Sequence, residues 1–112
     1  MSNASTLDLT GSSGKKYKFY VYELGTSFKK VGGVYAITKR TSSQGSNSHS
    51  VIYIGKTDDL SERFDNHHKQ DCVDKNGANR ICVRQVESEA DRDSIEKDLI
   101  KNYQPKCNEQ LK

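Results

Sequence analysis

Short apolar runs punctuate an otherwise polar chain, and their spacing predicts the elements. Residues 17–24 alternate aromatic and polar side chains, the two-residue period of a strand with one buried face. Gly25 and the pair Gly32-Gly33 mark a loop, residues 34–38 a second strand, and residues 51–55 a third. Between the last two lies a stretch built almost wholly of Ser, Thr, Gln, Asn and Gly, residues 41–50, which reads as a mobile hairpin connection. Asp58 or Asp59 can accept the free N–H groups of a helix start, so a helix is expected to run from there to about residue 70. Asn76-Gly77 marks a turn, and residues 80–86 make another short strand. Ser88 with Asp91 resembles a capping box that opens a helix closing near Tyr103, ahead of Pro105. The resulting order, β-β-β-α-β-α, is that of an α+β domain with a small, mainly antiparallel sheet flanked by helices.

Composition narrows the class. With 112 residues, 32% of them apolar, and a mean hydropathy of -0.90, the chain has room for one domain around a modest core, taken as residues 16–112. Residues 1–15, rich in Ser, Thr, Gly and Asn, are read as an unstructured tail or tag remnant. No apolar run approaches membrane-spanning length and no leader pattern precedes the domain, so a cytoplasmic protein without a membrane partner is expected. A net charge of +3 permits a polyanionic partner without requiring one, since scattered lysines are also what a solvated surface carries. The three cysteines, Cys72, Cys82 and Cys107, lack CxxC spacing and are expected to be reduced thiols. A zinc site from His67, Cys72 and Cys82 is a weaker alternative, because the spacing matches no common zinc pattern.

Three groups of residues carry candidate chemistry. In the last helix Ile95, Leu99, Ile100 and Tyr103 form an apolar arc at about 100° per residue, and Glu96 points into it. A carboxylate taken from water needs a cation, either a basic side chain such as Arg92 one turn earlier or a metal ion. In the first helix Arg63 and His67 stand four apart on one face, an arrangement suited to phosphate chemistry and equally to a surface arginine beside a boundary histidine. His68 points away and is read as a bystander. Finally, Gly33-Val34-Tyr35 and Tyr53-Ile54-Gly55 each set a tyrosine on a strand with a glycine nearby. A strand tyrosine is ordinarily packing, so the joint occurrence is the signal.

These tripeptides resemble the signature of the GIY-YIG nuclease superfamily. The similarity continues from Tyr53 through Lys56, Arg63 and His67, and resumes at Ile95-Glu96, Leu99-Ile100-Lys101 and Pro105-Lys106-Cys107-Asn108. It covers residues 33–108 and is closest to the incision domain of excision-repair nucleases and to small single-domain members, so repair or recombination is implied. Two departures stand out: a long polar insert between the tripeptides, and His67 where repair members often carry tyrosine.

The resemblance implies a metal-dependent DNA endonuclease that hydrolyses phosphodiesters by attack of activated water. It implies one Mg²⁺ or Mn²⁺ ion held by Glu96 as sole protein ligand, which suits an ion that keeps its hydration shell. Arg63 would stabilise charge on the scissile phosphate. Tyr35 would be general base or water-positioner, although its ordinary pKa of about 10 must be lowered or bypassed, and His67, near 6.5, competes for the role. Tyr53 would hydrogen-bond phosphate or water. On the substrate side, Lys56 would contact DNA and Asn108 would anchor the chain end beneath the site, while Gly33 and Gly55 would permit close backbone approach. Lacking a separate DNA-reading element, such a domain is expected to hold duplex or branched DNA through phosphates, with a protein partner as a source of specificity. The alternative is an inactive DNA-binding or protein-interaction domain of the same fold.

Overall fold

A computed structural model of the chain describes residues 5–43, 46–63 and 70–108. The elements are β1 (Ser5–Thr10), β2 (Lys16–Glu23), β3 (Gly33–Ser43), β4 (Ser46–Thr57), α1 (Leu60–Arg63), α2 (Gln70–Lys75), β5 (Arg80–Gln85) and α3 (Glu89–Tyr103). All paired strands are antiparallel, and the sheet order is β1-β2-β5-β3-β4. The class is therefore the expected α+β. No helix among the described residues is long and apolar enough to cross a membrane.

Strand alternation splits the core in two. Tyr35, Ile37, Tyr53, Ile81 and Val83 meet Leu60 of α1 and Val73 of α2 on one sheet face. Val34, Ala36, Ile54, Cys82 and Phe19 meet Leu99 of α3 on the other. The two sets interleave along β3 with the two-residue period of a strand buried on both faces. A register shift between Ile37 and Thr38 makes room for one extra residue on β4, so both Ile52 and Tyr53 reach the α1 side.

The termini of α3 are set by local chemistry. Ser88 is extended (φ -82°, ψ 129°) and its hydroxyl accepts from the Asp91 amide. At the far end Gln104 turns left-handed (φ 44°) and donates its amide to the Ile100 carbonyl.

Four expectations meet the structure, and three of them are corrected. The supposed tail is not loose: Ser5–Thr10 pairs along β2, and Leu9 is buried. Asp98 of α3 ties down its turn, accepting from the Ser13 amide (2.9 Å), the Ser13 hydroxyl (2.7 Å) and the Tyr17 hydroxyl (2.8 Å). The alternation of Leu7 and Leu9 with polar neighbours was the available signal, masked by a Ser- and Gly-rich composition. Second, residues 41–43 and 46–50 are no slack loop: β3 and β4 stay paired as far as Ser43↔Ser46, because Ser and Thr side chains tolerate a solvated ribbon and Thr41 and Ser48 hydroxyls meet at 3.1 Å. Third, the first helix begins at the expected cap, where Asp59 accepts from the Ser61 amide (2.9 Å), and its expected course through residues 64–69 lies outside the described residues. Fourth, Cys72 and Cys107 form a disulfide that ties α2 to the segment after α3. Residues 35 apart in sequence carry no local spacing that announces such a pair. Cys82 remains a free, buried thiol. The zinc alternative therefore loses both of its cysteines, one to the disulfide and one to the core.

Candidate functional site

Two long strands carry the tyrosines. In the β3–β4 register Tyr35 faces Gly55 and Ile37 faces Tyr53, which puts both phenols on the α1 side of the sheet. The rings sit 5.9 Å apart at 39°. Gly55 is there for Tyr35: a Cβ at that position would lie 2.5 Å from the Tyr35 hydroxyl, so the phenol lies across a bare backbone. Gly33 meets backbone instead, since a Cβ there would come 2.6 Å from the Arg84 carbonyl oxygen. Asn108 holds the outer edge of β4, accepting from the Ile54 amide (2.7 Å) and donating to the Ile54 carbonyl (2.8 Å). The neighbouring Cys107 amide donates to the Ile52 carbonyl (2.9 Å), so residues 107 and 108 both fasten to the outer edge of β4.

The next residue along β4 turns to the other face. Lys56 reaches α3, where its Nζ stands 3.5 Å from Glu96 Oε1 and 3.4 Å from Asp93 Oδ1. Glu96 is largely shielded, with 19% of its side chain exposed. Two effects oppose each other on this carboxylate. Burial raises its pKa and the Lys56 charge lowers it; burial wins, and the net shift is upward. On Lys56 the Glu96 charge dominates and raises the pKa. Asp93, more exposed, is held below the ordinary carboxylate range by its bond to Lys97, at 3.2 Å, with Lys56 adding to it. Beside this pair Lys56, Thr57, Asp58, Glu89 and Arg92 line a polar cleft of about 260 Å³.

Glu96 and the phenols thus lie on opposite faces of the sheet, yet they meet at consecutive residues of one strand. Gly55 is the floor under Tyr35, and Lys56 is the partner of Glu96. The cation expected from Arg92 is supplied by Lys56 instead. Arg92 donates to the carbonyls of Val86 (2.9 Å) and Glu87 (3.0 Å), holding the strand-to-helix turn. Arg63 closes the described part of α1, with its backbone on the Tyr35 side of the sheet. His67 lies outside the described residues. Asp93 was not anticipated as a second carboxylate on Lys56; its position one turn before Glu96 would have revealed it.

The match to known families agrees with this geometry. The family model of the GIY-YIG catalytic domain matches residues 31–109. The chain belongs to the GIY-YIG family. No curated protein and no solved structure matches it. GIY-YIG domains are nuclease-type catalytic domains, act on nucleic acid and generally depend on a divalent metal. Both tripeptides of this GIY-YIG domain sit on paired neighbours in the sheet, and the match runs on through Glu96 to the Asn108 clamp.

Proposed function

We propose that this GIY-YIG domain is a divalent-metal-dependent DNA endonuclease that hydrolyses phosphodiesters by attack of water. The observation that carries the reading is the junction at β4, where a buried phenol and a shielded carboxylate are held at adjacent residues, Gly55 and Lys56. The burial of the carboxylate does not help the fold by itself: a carboxylate whose pKa is pushed up is a group kept in place against its own solvation.

Glu96 fits a hard cation. It is an oxygen donor paired with Lys56, which lines a polar cleft, and among the described residues no cluster of three or more His, Cys, Asp or Glu offers a closed cage. A site with so few protein ligands suits a hydrated Mg²⁺ or Mn²⁺ held by Glu96 and substrate phosphate. When bound, the ion supplies Lewis acidity at a phosphate oxygen and at the leaving oxygen. In this scheme Lys56 neutralises Glu96 before substrate arrives, then turns to a phosphate. Tyr35 orients the attacking water or takes its proton, with His67 as the competing base; Tyr53 packs beside it and hydrogen-bonds phosphate or water. Arg63, on α1, stabilises charge on the scissile phosphate, an interaction whose loss costs about two to three orders of magnitude in rate. Asn108 keeps β4 in place so that Gly55 and Lys56 hold their positions.

The Lys56–Glu96 pair also favours a second reading, since an internal ion pair is what an inactive binding domain would retain. Nicking of supercoiled plasmid separates the two. An endonuclease cuts with Mg²⁺, and Glu96→Ala and Arg63→Ala abolish cutting. Clean wild-type protein that never cuts, or that cuts as well after both substitutions, removes the enzymatic reading.

A further inference from the structure

At the other end of the β3–β4 ribbon lies a cationic cluster that the candidate site does not use. Thr38 faces Arg80 across β3–β5, and Arg40 faces His49 across β3–β4. Alternation puts all four side chains on the α3 side, the side on which Lys56 meets Glu96, and the register shift in β4 preserves that for His49. They form a built arrangement. The buried Thr38 hydroxyl is 2.8 Å from His49 Nδ1. Asn79 grips the backbone of Arg40 from both sides, accepting from its amide (2.7 Å) and donating to its carbonyl (3.1 Å). One Arg80 Nη donates to the Asn79 carbonyl (2.7 Å). His49 has its pKa lowered, first by burial and then by the charges of Arg40 and Arg80, so it stays a neutral hydrogen-bonding group beside two guanidiniums. No carboxylate lies within 4.0 Å of Arg40, Arg80 or His49 among the described residues, although Glu23 stands opposite Arg80 in the β2–β5 register.

We propose that Arg40, Arg80 and His49 form a second phosphate-binding site that grips the backbone of duplex DNA away from the cut. The inference rests on the DNA-nuclease reading of the Glu96 site and adds where the flanking duplex lies. Arg40 on β3 and Arg80 on the adjoining β5, without acidic partners among the described residues, leave donors for phosphate oxygens. The distance is set by the strand: seven residues of β4, from Lys56 to His49, at about 3.3 Å each put the cluster roughly 20 Å from Glu96. At about 3.4 Å per base pair that is a phosphate roughly six base pairs from the scissile bond.

The test is fluorescence anisotropy of a labelled duplex under salt titration in EDTA, so that no cutting occurs. The wild type is compared with Arg40→Ala/Arg80→Ala, with the Arg40→Lys/Arg80→Lys pair, and with Lys16→Ala/Lys101→Ala as a control for general charge. Removing two phosphate contacts should weaken binding about tenfold and flatten the slope of log affinity on log salt by about 1.8. The lysine pair should restore the slope if the alanine variant remains folded by circular dichroism, and the control should leave it unchanged. Trimming the duplex to three base pairs on one side of the cut should erase the difference between wild type and the alanine pair. An unchanged slope in the alanine variant, an equal loss in the control, or tighter binding to RNA than to DNA would overturn the proposal. Because this readout needs no cleavage, an inactive wild type with the expected slope change would sink the endonuclease reading and leave this site standing.

Discussion

Replacing Glu96 by glutamine should make the protein more stable while abolishing cleavage. Only 19% of the Glu96 side chain is exposed, and burial outweighs the attraction of Lys56, so its pKa in the fold lies above that in the unfolded chain. The sign follows from proton binding: between the two pKa values the native state holds the proton and the unfolded state does not, so stability falls as pH rises through that window. Above it the full cost of a buried charge is present, and below it the cost is gone. Glutamine has nearly the same shape without the charge, and Lys56 keeps Asp93 at 3.4 Å as a partner. Relief at a functional position is typically about 1 kcal/mol, or roughly 4 °C in Tm for a domain of this size. Denaturant unfolding of wild type and Glu96→Gln at neutral pH and again in the acid carboxylate range measures it. The variant should lead at neutral pH and the lead should close in acid. A variant less stable at neutral pH, or a gap indifferent to pH, would show that the charge at 96 is a net stabilising ion pair and that nothing about it calls for a metal.

Other consequences are more local. Gly55→Ala drives a methyl into the Tyr35 phenol at 2.5 Å, and overpacking of this kind should cost about 1–3 kcal/mol in denaturant unfolding and impair cleavage together. Asn108→Ala leaves the Ile54 amide and carbonyl without their partners at the edge of β4, which should cost about 1–3 kcal/mol, whereas exposed Lys101→Ala should be silent. The Cys82 thiol, its pKa pushed up to about 11 by burial, should react with a thiol reagent only under denaturing conditions; prompt labelling of the native protein would place it nearer the surface than the core packing allows.

What the sequence disclosed follows from how local each signal is. The cap at Ser88, the turn at Gly77 and the strands around both tripeptides are written in neighbouring residues, and they form where expected. Glu96 was visible as a carboxylate interrupting a helical apolar arc. Its partner was not, because Lys56 comes from a strand and Arg92 was nearer in sequence. The same holds for the Cys72–Cys107 bond and for the Asp98 contacts that fasten the N-terminal hairpin, all made by residues far apart along the chain. The polar β3–β4 ribbon was missed for another reason: its serines and threonines suit a loop as well as a solvated strand, and pairing alone decides.

Single-turnover cleavage of a labelled duplex, with Mg²⁺ varied and excess protein, tests the central claim most directly. A catalytic carboxylate at position 96 predicts rates that rise with Mg²⁺ for wild type and for Lys97→Gln, and no measurable product for Glu96→Gln despite its undiminished fold. Cleavage by Glu96→Gln at the wild-type rate, or a wild-type rate indifferent to Mg²⁺ and chelator, would contradict it.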